Sequence, residues 1–143
     1  MAVTRDDLGT LTMLSLLSKV VYKRASEDLI GISQRYYLAL HFISGPEGLP
    51  QQQLSEALWI DANNTVLLLN ELEDEGLVRR ERDPADRRRH RVHLTDEGAR
   101  RLSEARRRRE TLEDEVLSKL DPDEREALHQ LLAKALDCAA TRA

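Results

Sequence analysis

The sequence predicts a mainly α-helical chain with one short β-hairpin near its middle and long helices at both ends. Three observations carry that expectation. Apolar residues recur at three- and four-residue steps over 8–29 and again over 128–136, the period of a helix with one apolar face. Two shorter helical stretches, 51–58 and 62–75, are separated by a turn of a few residues. Directly after them, two alternating runs flank Asp83-Pro84-Ala85-Asp86, and Asp first with Pro second is the preference of a type I turn.

Taken in order, Thr4 can cap a first helix over 5–30, with Asp6 and Asp7 in the first turn where the helix dipole favours negative charge. Its apolar positions are Leu8, Leu11, Leu14, Leu17, Val21, Ala25 and Leu29, and Gly31 ends it. Ser33 caps a second helix over 34–44, whose apolar residues surround most of its circumference, as in a central helix. Leu49-Pro50 is a short extended piece. Leu54, Ala57 and Leu58 face inward from the next helix, Trp59-Ile60 turns the chain, and Asp61 caps the helix over 62–75. Gly76 closes that helix in the left-handed conformation. Two short helices joined by a tight turn have the dimensions of a helix-turn-helix.

Residues 77–82 read as a strand and 90–94 as its return, with Val92 and Leu94 on one face. Thr95 caps a helix over 96–119. Asp121, Pro122 and Glu124 then supply cap, first position and third position of the last helix, which carries Leu128, Leu131, Leu132, Ala135 and Leu136 on one stripe. A helix-turn-helix followed by a hairpin is a winged helix-turn-helix. The whole therefore reads as a single domain over 1–143, with the winged helix at 33–94 and long helices at 5–30 and 96–140 beside it.

Charge points to the partner. The chain has a formal net charge of −4, yet 79–109 holds 13 arginines against six acids. A basic segment on an acidic body suits a polyanion docked on one face. Arg87-Arg88-Arg89 lie at the hairpin tip, where arginine can enter a minor groove. Arg79, Arg80, Arg82 and Arg89 can touch phosphates, which position a protein without reading sequence.

Residues 49–98 also resemble the multiple antibiotic resistance regulator (MarR) family. The matching pieces are Leu72-Glu73-x-x-Gly76-Leu77-Val78-x-Arg80, Asp83-Pro84-x-Asp86-Arg87-Arg88 and Leu94-Thr95-x-x-Gly98. The flanking helices match in order, so the likeness covers nearly the whole chain. The resemblance implies a homodimeric regulator, usually a repressor, on palindromic promoter DNA, often released by a small-molecule ligand or by oxidation, with the terminal helices as the dimer interface. It also implies that Asp86 and an arginine brace the wing while a tip arginine enters the groove. Arg87 and Arg88 are the candidates for those two jobs.

The candidate recognition helix departs from the family pattern. Thr65, Leu68 and Leu72 turn inward, so Val66 and Leu67 fall where the family shows small polar and basic residues. The remaining DNA-facing candidates are Asn63, Asn64, Asn70 and, with a slight rotation, Thr65. Asparagine can pair with adenine, and Val66 or Leu67 can meet a thymine methyl. A degenerate helix in a winged module used for protein association is the alternative reading.

Tyr36, Tyr37, His41 and Trp59 are candidates for a ligand cleft, although ordinary core packing also suits them. Cys138 reads as a buried structural thiol rather than a redox sensor, since no basic residue sits immediately beside it. The histidines show no metal-ligand spacing. No phosphate loop, catalytic carboxylate pair or Cys-His arrangement suggests an enzyme, and no cofactor is expected. No apolar run approaches the ~18 residues of a membrane span. MAVTRDDLGT lacks a signal-peptide pattern and a single cysteine forms no internal disulfide, so a cytoplasmic protein is expected.

Overall fold

The computed structural model describes residues 3–25 and 31–142, with side chains of the last helix described through Asp137. A short 3-10 turn, Arg5–Asp7, precedes helix α1 (Thr10–Arg24). Then come α2 (Gln34–Ile43), β1 (Leu49–Pro50), α3 (Gln51–Leu58), α4 (Ala62–Asp74), β2 (Val78–Arg82), β3 (His90–Leu94), α5 (Asp96–Val116) and α6 (Pro122–Arg142). The three strands form one antiparallel sheet in the order β1-β3-β2. The register sets Val78 opposite Leu94, Arg80 opposite Val92 and Leu49 opposite Val92. The chain divides into two compact units, 1–109 and 110–143.

This is the predicted winged helix-turn-helix, with three local differences. The first helix does not start at residue 5. Thr4 and Asp7 bond reciprocally around the 3-10 turn, and Gly9 enters α1 in an extended conformation. The aspartates therefore charge that turn and not the helix. The predicted stretch at 26–30, with Leu29, lies outside the described residues, as does the side chain of Cys138. Helix α5 ends at Val116 rather than 119. Helix α2 is not enclosed all round: Ala39, Leu40 and Ile43 are buried, while Leu38 and Phe42 are exposed.

The core of the first unit gathers Leu40, Ile43, Leu54, Leu68, Leu69, Leu72, Leu77, Val92 and Leu102, all fully or almost fully buried. Each such leucine contributes roughly 1.5–3 kcal/mol relative to exposure. The join from α4 into the sheet explains two of the motifs noted above. Gly76 takes φ +73°, and the Leu77 amide donates back to the Leu72 carbonyl at 2.9 Å, a glycine C-cap. Thr95 then ties the start of α5 to this corner. Its amide donates to the Leu77 carbonyl, its hydroxyl donates to the Gly76 carbonyl at 2.6 Å, and its hydroxyl oxygen accepts from the Gly98 amide at 3.0 Å. Gly98 is required by contact, since a Cβ there would lie 2.0 Å from the Leu77 carbonyl oxygen.

Helix α6 starts as predicted. Asp121 accepts from the Glu124 amide at 2.8 Å, and Glu124 accepts from the Asp121 amide at 3.0 Å, a reciprocal capping box. Within the same unit, Arg125 pairs with Asp114 at 2.7 Å. No described helix is long and apolar enough to cross a membrane.

Candidate nucleic-acid interface

The helix-turn-helix is held at its turn by buried polar contacts. Thr65 is fully buried. Its hydroxyl lies 2.7 Å from that of Ser55 on α3 and 2.9 Å from the Asp61 carbonyl oxygen. Trp59 takes a left-handed conformation, φ 56° and ψ 40°, which costs a residue other than glycine roughly 1–2 kcal/mol. The Ile60 amide reaching back to the Ser55 carbonyl at 3.2 Å closes the same turn. Asp61 caps α4 by accepting from the Asn64 amide at 2.7 Å, a contribution of about 1 kcal/mol.

The outward face of α4 carries Asn63, Asn64, Val66, Leu67 and Asn70, all exposed. Thr65 points the other way, into the core. The asparagines are not equally available. The Asn64 side-chain amide donates to Asp61 at 3.1 Å. The Asn70 side-chain oxygen accepts from Arg80 at 2.5 Å, and Arg80 also pairs closely with Glu73. Arg80, expected to contact phosphate, here fastens strand β2 to α4, and its side chain is only 22% exposed.

The wing tip is built differently. The Asp83 amide donates to the Arg89 carbonyl, and the Arg89 amide to the Asp86 carbonyl, both at 2.9 Å. The Asp83 carboxylate accepts from the Ala85 amide, and the Asp86 carboxylate from the Arg88 amide. Arg82 donates to the Arg87 carbonyl at 3.0 Å. Asp86 lies 3.7 Å from the Arg88 guanidinium and 3.6 Å from that of Arg89. Such exposed pairs contribute little, about 0–1 kcal/mol, so the carboxylate shapes the tip mainly through the backbone. Arg87, Arg88 and Arg89 all project into solvent, Arg88 with 95% of its side chain exposed.

At the base of the wing, Arg91 donates to the Glu47 carbonyl and lies 4.0 Å from Asp83. Glu81 bridges Arg79 at 3.0 Å and His93 at 2.7 Å, and these two partners hold its carboxyl below the usual range. The Arg91–Glu47 and His93–Glu81 contacts join residues 44 and 12 positions apart, and no spacing pattern announces them. Among the described residues, no cluster of three or more His, Cys, Asp or Glu could hold a metal ion.

The four cleft candidates separate in space. The Tyr36 hydroxyl donates to Glu71 at 3.0 Å on α4, near Glu75, and Arg35 meets the same Glu71 oxygen at 2.6 Å. Burial first, then the Glu71 bond, pushes the Tyr36 phenol up to about 12. Tyr37 and His41 instead face α5, with the Arg109 guanidinium 4.4 Å from the Tyr37 ring centre and Arg106 bonded to His41 at 3.1 Å. Trp59 is largely exposed. A cavity of about 490 Å³ lies between the end of α1, the start of α2 and the helix-turn-helix turn, with Tyr22, Arg35, Leu38, Leu58 and Ile60 on its wall.

Residues 30–89 match the MarR family model. The transcriptional regulator HosA of Escherichia coli O111:H- is 33% identical over 114 residues, 80% of this chain and 84% of its own. This chain belongs to the MarR family. It is a DNA-binding winged-helix transcriptional regulator, and family members are regulators rather than enzymes. The MepR–DNA complex of Staphylococcus aureus shares the fold, with a TM-score of 0.77, 23% identity and coverage of 92% of this chain and 99% of that one. CouR from Rhodococcus jostii RHA1, solved with p-coumaroyl-CoA, gives a TM-score of 0.79 at 25% identity over 97% of this chain and 96% of that one.

Proposed function

We propose that this MarR-family chain is a homodimeric repressor working in the cytoplasm at a palindromic promoter site. Helix α4 lies in the major groove and the wing reaches a neighbouring minor groove. The observation that carries this reading is the wing tip. Its backbone is bonded within the hairpin, yet it projects Arg87 and the almost fully exposed Arg88 into solvent, in a chain of net charge −4. That design suits a polyanionic groove.

Pairing of two chains is supported by the terminal helices. Helix α1 buries none of its residues, and Leu11, Leu14, Leu16 and Val20 stand exposed on it. Leu131, Leu132 and Leu136 stand exposed on α6. Coverage by a second copy would remove this apolar surface from water. Release by a small molecule is supported by the cavity beside α1. A ligand filling it presses on Leu58 and Ile60 of the turn and on Arg35, whose partner Glu71 belongs to α4. CouR provides the precedent of a relative solved with a bound small molecule.

One observation favours the protein-association alternative: α4 exposes Leu67 while several of its polar side chains are engaged internally. Selection from random duplexes at about 150 mM salt, where contacts to phosphate alone are already weak, decides between the two. The expected product is a palindrome with half-sites about one turn, ~34 Å, apart. A folded dimer that enriches nothing overturns the repressor and leaves association. A monomer by light scattering at micromolar concentration removes the paired architecture.

A further inference from the structure

Helix α4 has two faces of opposite purpose. Thr65, Leu68, Leu69 and Leu72 lie in the core. Asn63, Val66, Leu67 and Asn70 follow the same three- and four-residue steps on the outer side, so they form one stripe. Its hydrogen-bonding capacity is partly spent, with Asn63 the exposed polar side chain at its N-terminal end. Asn64, flanking it, has its side-chain amide turned to Asp61, and the Asn70 oxygen is occupied by Arg80. Adenine recognition by asparagine needs both the oxygen and the amide of one side chain. At the centre of the stripe stand two apolar side chains, Leu67 at 59% and Val66 at 37% exposure.

We infer that Leu67 and Val66 read the C5-methyl groups of thymine, so the operator half-site is selected by 5-methylpyrimidines in the major groove. This rests on the DNA-binding reading above and deepens it. In that groove, the thymine methyl is the apolar feature that distinguishes one base-pair edge from the others. The place on the helix fits, since the N-terminal part of a recognition helix is what meets base edges. Charge fits as well. Beyond the capping Asp61, whose carboxylate is engaged by Asn64, the first turn of α4 carries no acid, whereas Glu71, Glu73, Asp74 and Glu75 crowd its C-terminal end. The arginines of the wing lie in the same compact unit and add positive charge for the duplex.

The test takes the operator recovered by selection and replaces each half-site thymine, one at a time, with deoxyuridine. This removes the methyl and leaves the pairing edge intact. At one or two thymines per half-site the wild-type protein is expected to lose about four-fold in affinity per methyl, the worth of one buried carbon. Leu67→Ala, at an exposed position, should bind the thymine operator more weakly and lose the distinction between thymine and uracil at one of those sites. Replacing a thymine there by 5-methylcytosine should retain more affinity than replacing it by cytosine. If a specific operator is recovered and every uracil version binds like its parent, the methyl reading is overturned while the regulator stands. The same holds if Leu67→Ala still discriminates uracil at every site. If no operator is recovered, the DNA reading itself has failed and this inference falls with it.

Discussion

The winged region and the terminal helices use the same residue types to opposite ends. In the winged region, leucines at helical spacing are buried: Leu40, Leu54, Leu69 and Leu72 have no accessible surface. On α1 and α6 the spacing is the same, yet Leu11 is 80% and Leu131 65% exposed. A periodic apolar stripe thus establishes that a helix has a face to cover. It does not establish that the same chain covers it. The winged region has its leucines covered within its own unit, with Leu102 of α5 among them, and the apolar faces of α1 and α6 are the surfaces that a second copy covers under the proposed architecture.

The largest expected break on the winged side is Gly98→Ala. The added Cβ would meet the Leu77 carbonyl oxygen at 2.0 Å, and backbone on both sides leaves little room to relax. A loss of more than ~3 kcal/mol, or failure to fold, is expected by urea denaturation. A near-wild-type midpoint would show that α5 does not approach the sheet so closely. The counterpart on the terminal helices is Leu131→Ser with Leu136→Ser. Here the mass from light scattering should fall towards the monomer while the helical circular dichroism of the winged region persists. Unchanged dimer mass would place the dimer contact elsewhere.

A second contrast runs within the interface. Arg80 and Arg88 are both arginines of the hairpin, but Arg80 is tied to Glu73 and Asn70 while Arg88 is almost fully exposed. Arg88→Ala is therefore expected to weaken operator binding by ~1–3 kcal/mol with little change in stability. Arg80→Ala should lower stability by about 1 kcal/mol, because the part-exposed Glu73 and Asn70 lose their partner but can still be hydrated. Equal effects of the two substitutions on both measurements would erase the distinction.

The difference in legibility follows from range. Helix caps, turns and the hairpin are set by residues a few positions apart, so Asp61, Asp121, Gly76 and Asp83-Pro84 could be read directly from the sequence. Thr65, Leu68 and Leu72 fell inside as their period required. The start of the first helix is not legible in the sequence, because the apolar series begins at Leu8 and only the backbone shows the break there and at Gly9. The engagement of Arg80 with Asn70, of Tyr36 with Glu71 and of Arg106 with His41 spans ten to 65 positions. An arginine near a strand end reads equally well as a DNA contact or as a brace, and only the fold separates the two.

The smallest effect expected is a dependence of winged-region stability on pH through His41. Burial first, and Arg106 second, hold its imidazole below the usual value of 6.5. The Arg106 guanidinium 3.1 Å from Nδ1 requires that nitrogen to accept, so the neutral ring is the form that fits. The unfolded chain takes up a proton as pH falls through about 6.5, and the folded chain does so only lower. In that window the unfolded state binds more protons. Stability is therefore complete above about 6.5 and declines as pH falls through the lower, folded value. His41→Gln keeps an acceptor for Arg106 and cannot titrate. Urea midpoints of the two proteins, measured from pH 8 to pH 5, should run parallel above 7 and diverge below it, with the wild type falling faster. Parallel curves throughout would mean that His41 protonates in the fold as readily as in water, and that Arg106 turns away to let it.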